Sequence, residues 1–326
     1  MSLAKIYPLV STKKLGVMMQ HFLVFLITSL LFFSPCSLIS ENCSLDSTRA
    51  LLPKPMDKRY YLAATAVFQN EAPYLREWLE YHRLVGVEHF YLYNNLSTDD
   101  YMSALQSYID EGYVDLYDWP LGSTDVAIYG PIQLDIYRDA FTKADCHWLV
   151  ILDSDEFFVP NQHDTLPELL HAFDNQPDIG GIVLPWVFFG TSDVAKIPDD
   201  QLMIETLLNN GGVEWKGPRH EVLNTAFHKS IVRPYLVSHV PNPHHCDFIP
   251  GIRNHILWSE FGQVNHYWTR DEYYLYNYKI PRRENWGTST SIVLDWAASM
   301  NFATDFHLSI QRFVPELRSR LGFDTK

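Results

Sequence analysis

"WLVILDSDEFFVP" (148–160) places Asp153, Asp155 and Glu156 directly after a run of apolar residues, and apolar character then resumes. The run reads as a buried strand. If the segment stays extended, residues two apart share a side, so Asp153 and Asp155 point together. Two adjacent carboxylates raise each other's pKa unless a cation compensates. Oxygen donors of this kind suit Mg²⁺ or Mn²⁺, which share a substrate's phosphate oxygens. A bare pair of this type also occurs as a solvated strand end, so its place in the fold decides between the two readings.

That place follows from the residues upstream. "YYLAATAVF" (60–68), "HFYLYN" (89–94) and "YVDLYDW" (113–119) read as three earlier strands, and 148–152 as a fourth. Helices fall between them. One opens at Pro73 and carries Leu75, Trp78, Leu79 and Tyr81 or His82. A second is capped by "STDD" and carries Met102, Leu105, Tyr108 and Ile109, and a third covers 131–145. Alternation of this kind predicts an α/β fold with a mainly parallel sheet and ligands at the carboxyl ends of the strands. The loops of interest are then "QNEAP", "NNLSTDD" and "DSDEF". Past about residue 180 the pattern loosens. Residues 181–190 and 229–237 read as strands, and 290–322 as helical.

The chain has 326 residues, 47% of them hydrophobic, with 19 Tyr, 19 Phe and 9 Trp. This argues against disorder and suits surfaces that stack on rings. A formal net charge of −14 with no long basic run excludes nucleic acid as a partner. Residues 15–39 form the one targeting-like segment, read as a signal-anchor ahead of a cleaved signal peptide. With Lys13 and Lys14 before it, the expectation is a single-pass membrane protein. The division is then 1–14 tail, 15–39 anchor, 40–58 stem and 59–326 one globular domain. Of four cysteines, Cys146 and Cys246 are the pair inside the domain, as a disulfide or as free buried thiols.

The series "VFQNEAPYLREWLEYHRLVGVEHFYLYNNLSTDD … WLVILDSDEFFVP … LPWVFFGTSD … KSIVRP … SHVPNPHH … NHYWTRDEYYLYNYKIPR" resembles glycosyltransferase family 92, which is related to family 2. The resemblance covers roughly residues 60–285. It implies a GT-A fold, a nucleotide-sugar donor (most often UDP-linked), a divalent metal, inversion at the anomeric carbon and a glycan or other hydroxyl acceptor. Members anchored in the Golgi place the enzyme on the lumenal side; in a bacterium it would be membrane-associated or exported. "LYNNLSTDD" resembles the "DDxSxD" turn of family 2, with Asn94 and Asn95 standing where that pattern has Asp. Arg270 and Asp271 replace the family's usual Lys-Ser.

The resemblance implies the following roles. Asn70, Glu71, Asn94, Asn95 and Asp99 hold the nucleoside, and Asp153 holds the ribose or a metal-bound water. Asp155 ligates the metal, with His239 or His266 completing its shell. Lys229, Arg233, and Lys279 or Arg282 clamp the pyrophosphate. Glu221 is the candidate base, with Glu214 and Asp247 behind it. Trp186, Phe189 and Gly190 floor the sugar pocket. The stretch His239, His244, His245, Cys246, Asp247 could instead hold Zn²⁺, although its spacing fits no standard pattern. Two rival classes are a haloacid-dehalogenase-like phosphatase with Asp153 as nucleophile, and a non-enzymatic carbohydrate-binding protein. The phosphatase wants Thr or Val where Phe157 stands and the acids after the first strand.

Overall fold

Strand β1 (Tyr60–Phe68) lies between β2 (His89–Asn94) and β4 (Cys146–Asp153), and β3 (Val114–Asp118) flanks β2, all parallel. This is a computed structural model, and it describes residues 57–119, 126–213, 227–303 and 307–323. The described residues fall in one compact unit, Asp46–Lys326.

The near-continuous apolar run of β1 has a direct cause: both of its faces are covered. Leu62, Ala64, Ala66 and Phe68 join Leu75, Trp78 and Leu79 of helix α1 (Ala72–Leu84). Ala63 and Val67 join Ile136, Tyr137 and Ala140 of helix α3 (Val126–Lys143) on the other side. Alternate residues thus serve opposite cores, as a parallel strand between two helical layers requires. Helix α2 (Tyr101–Asp110) returns the chain from β2 to β3.

After β4 the connectivity changes. Strand β5 (Glu156–Val159) does not pair with β4; it pairs antiparallel with β12 (Gln263–His266). The eleven-residue β6 (Ile179–Phe189) runs parallel to β12 and antiparallel to β8 (His228–Val232), and β8 runs antiparallel to β4. The sheet order is β3-β2-β1-β4-β8-β6-β12-β5, with β7 (Asn210–Val213) and β11 (Arg253–Ile256) also on β6. This mixed α/β sheet is the expected GT-A architecture.

Several boundaries differ from expectation. Helix α3 begins at Val126, so Pro131 lies within it rather than opening it. The stretch 229–237 is β8, then a 3₁₀ turn (Pro234–Leu236) and a short strand β9 (Val237–His239), because Pro234 cannot donate to a ladder. The described residues of 290–322 hold two helices, α4 (Thr290–Met300) and α5 (Val314–Leu321), with a 3₁₀ segment before the second. Cys146 and Cys246 are both free and buried, so no disulfide joins them.

The single-pass expectation is corrected: among the described residues no helix is long and apolar enough to cross a membrane. The segment given that role, 15–39, lies outside the described residues.

Candidate active site at the strand ends

The acidic motif does not remain extended. Ser154 and Asp155 form a turn between β4 and β5, which ends the alternation and sends the two aspartates to different partners. Asp153, one-third exposed, accepts from Gln133 Nε2 of α3 at 3.0 Å and from Lys229 Nζ at 3.0 Å. Asp155 is nearly buried. Its Oδ1 lies 3.3 Å from His266 Nε2, and its Oδ2 lies 3.4 Å from Lys279 Nζ. Each carboxylate therefore has its own protein cation or imidazole donor.

The protonation directions agree with this. Burial alone would raise the Asp155 pKa; His266, then Lys279 and Arg270, more than reverse it and hold it well below the usual range. Burial lowers the His266 pKa, with the neighbouring Asp155 opposing it, and the ring lies within hydrogen-bond reach of Asp155. The standing positive charge is that of Lys279, which burial draws down to about 8. Glu156 is fully buried and its pKa is raised well above normal by that burial. Its Oε2 accepts from the Asp153 backbone N–H at 3.0 Å and lies 3.3 Å from Lys229 Nζ. Its Oε1 and His266 Nδ1 have no hydrogen-bond partner and lie 3.7 Å apart.

Register explains the lysine. Leu149 pairs with Val232 and Val150 with Ile231, so two residues further on Lys229 stands across from Leu152, beside Asp153. Arg233 is consequently at the opposite end of β4. Its guanidinium lies over Trp148 and donates to the carbonyls of Gln176 and Phe173, so it anchors the turn before β6 and does not reach the acidic motif. His266 is set by β12, opposite Glu156 on β5 and Phe188 on β6. Its ring rests on Phe188 and Trp186, with centroids at 4.9 and 4.5 Å.

The upstream loops interlock. Asn70 adopts a positive φ of 57°, and its Oδ1 accepts from the Thr98 N–H at 2.7 Å. Asp99 Oδ2 accepts from the Ala72 N–H at 2.8 Å; its Oδ1 is buried without a partner. Asp100 occupies the N-cap of α2 but makes no side-chain capping bond. Asn94 Oδ1 accepts from the Ser97 N–H, and its Nδ2 donates to Tyr101 and Asp118. The Asn95 carboxamide is buried with both polar atoms unpaired. Such a group incurs a desolvation cost that a ligand can relieve. Glu71 is buried in an ion pair with Arg270, whose guanidinium is held between Tyr74 and Tyr274 at 3.7 and 4.3 Å.

Other expected residues fall elsewhere. His239 is exposed on β9, paired with Asp247 of β10 (Asp247–Phe248), and does not join Asp155 and His266. Glu221 and Glu214 lie outside the described residues. His244 and His245 pack around His228, with His228 Nε2 3.2 Å from His245 Nδ1. Phe189 packs against Tyr267 in the core with the two rings tilted, and a Cβ on Gly190 would meet the Asn301 side chain at 2.2 Å. Among the described residues no group of three or more His, Cys, Asp or Glu is arranged to hold a metal. Gln133 escaped the sequence reading altogether, since one amide on a helix face carries no signal of its own.

A glycosyltransferase family 92 profile matches residues 62–307. A family 92 protein of Arabidopsis thaliana is 26% identical over 220 residues, covering 64% of this chain and 35% of that protein. A beta-1,4-galactosyltransferase of Caenorhabditis elegans is 24% identical over 200 residues, covering 59% and 44%. This chain thus spans about a third of the plant relative's length. Staphylococcus aureus TarS, crystallised with UDP-GlcNAc, superposes with a TM-score of 0.40 at 12% identity, over 80% of this chain and 72% of that one. With most of its described sheet inside the matched residues, the chain belongs to glycosyltransferase family 92.

Proposed function

We propose that the protein transfers a sugar from a nucleotide-diphospho-sugar, UDP-linked, to a hydroxyl acceptor on a glycan, with inversion. The carrying observation is that β1, β2 and β4 are adjacent and parallel, so that the loops following them, with Asn70, Asn95 and Asp153, open on one edge of the sheet of a family 92 chain. A relative named a beta-1,4-galactosyltransferase supports a hexose donor.

The donor chemistry fits Mn²⁺ or Mg²⁺. Asp155 and the partly exposed Asp153 offer hard oxygens with spare lone pairs, and so few protein donors would leave coordination positions for pyrophosphate. When bound, such an ion supplies Lewis-acid charge to the leaving group. Asp155 would hold it and Asp153 would hold a metal-bound water or the ribose. His266, occupied as a donor to Asp155, acts here as an orienting residue. Lys229 beside Asp153 and Lys279 beside Asp155 place positive charge where a diphosphate would bind. The Asn95 carboxamide is the free polar group for the nucleoside. Glu221 remains the proposed base.

The test is nucleotide release from UDP-, GDP- and CMP-sugars with Mn²⁺, with and without EDTA. Release from the UDP donor is expected, abolished by EDTA and cut about a hundredfold or more by Asp155→Ala. Full activity in Asp155→Ala, or no donor consumed by the unaltered protein, would end the proposal.

A further inference from the structure

A cavity of about 720 Å³ lies next to the acidic motif without including it. Asn70 and Asp99 are on its lining, as are Tyr74 and Tyr274; Asp153 and Asp155 are not. The partition is one layer of side chains. Arg270, fully buried, lies between the Tyr74 and Tyr274 rings, and on the other side Lys279 Nζ is 6.0 Å from the Tyr274 ring and 3.4 Å from Asp155.

The cavity is held open by fixed walls. Asp271 accepts from the Ile197 and Tyr274 backbone N–H groups, both at 2.8 Å, tying one flank to the other. Glu77 accepts from the Met203 and Ile204 N–H groups at 2.8 and 3.0 Å. Preformed walls spare a ligand the ordering cost. Tyr273 and Tyr278 line the same space yet are 48% and 47% exposed, which presents ring area to an occupant.

The occupant's chemistry follows from the lining. Half-exposed phenol rings suit the C–H faces of pyranose rings. Asp99, Asp199 and Asp271 outnumber Arg76 and Lys196, which disfavours a diphosphate here. We propose that this cavity is the acceptor subsite and takes an uncharged carbohydrate. The assignment rests on the sugar-transfer reading above.

The experiment is a glycan array probed with the unaltered protein, Tyr273→Ala/Tyr278→Ala and Tyr273→Phe/Tyr278→Phe, alongside calorimetry of UDP-sugar binding on the same preparations. Binding to neutral glycans is expected, weakened at least tenfold by the alanine pair and held within a few fold by the phenylalanine pair. No array carbohydrate bound by the unaltered protein, undiminished binding in the alanine pair, or displacement of glycan by UDP alone would each overturn it. Donor binding without glycan binding sinks this inference and leaves the transfer reading standing; the reverse result sinks the transfer reading.

Discussion

The two halves of the sheet contribute opposite charges to one site. Strands β1 to β4 deliver acids and amides at their carboxyl ends: Glu71, Asn95, Asp99, Asp153 and Asp155. The later half delivers the compensation: Lys229 from β8, His266 from β12, and Arg270 and Lys279 beyond it. The first half is a local, repeating strand–helix structure. The second is assembled by antiparallel returns spanning 76 residues between Lys229 and Asp153 and 199 between Arg270 and Glu71. The halves depend on each other electrostatically, because charges buried in one are offset by partners in the other.

Breaking the largest of these pairings should show it. Lys229→Met removes the cation shared by Asp153 and Glu156, and is expected to destabilise the fold by about 3–5 kcal/mol. A denaturant midpoint within error of the unaltered protein would mean that the two halves are not electrostatically interdependent. Next comes the Arg270–Glu71 pair. In a double-mutant cycle of Arg270→Met and Glu71→Gln, a coupling of about 2 kcal/mol is expected, against near-additivity if Arg270 is held only by its two tyrosines.

The first half carries a pH dependence of its own. His82 is fully buried in α1, and burial lowers its pKa to about 3. A depressed histidine binds protons in the unfolded chain first. Stability from this residue is therefore present above about pH 6.5 and lost as pH falls toward 3. At pH 5 the loss is about 2 kcal/mol. His82→Gln should shrink by that amount the difference in unfolding free energy between pH 7 and pH 5; an unchanged difference would place the acid sensitivity elsewhere. The smallest effect belongs to Arg253–Asp178, an exposed pair at 3.0 Å. Arg253→Ala should change stability by less than about 0.5 kcal/mol, and a larger loss would show that β11 depends on more than its ladder.

The same contrast governs how much could be read in advance. Strands β1 to β4 and helices α1 and α2 were legible because apolar spacing, Pro73 and the turn residues act within a few positions. The family resemblance rests on the same stretches. The geometry of the acids was less legible. Asp153 and Asp155 were expected on one side, and the turn at Ser154–Asp155 separates them. Arg233 and Lys229, four residues apart, were expected to act together, whereas the antiparallel register with β4 assigns them to opposite ends of one strand. His239 and His266 were equal candidates until β12 placed one beside Asp155 and β9 left the other exposed.

By itself the sequence determined the parallel half-sheet, the loops that follow its strands, and an acidic motif that needs positive charge nearby. Only the tertiary structure decided which cations answer it and which face the neighbouring cavity. Helix and strand signals are local in the chain. Charge compensation depends on distances of about 3 Å between residues far apart in sequence, and those distances exist only once the register of β8 and β12 is set.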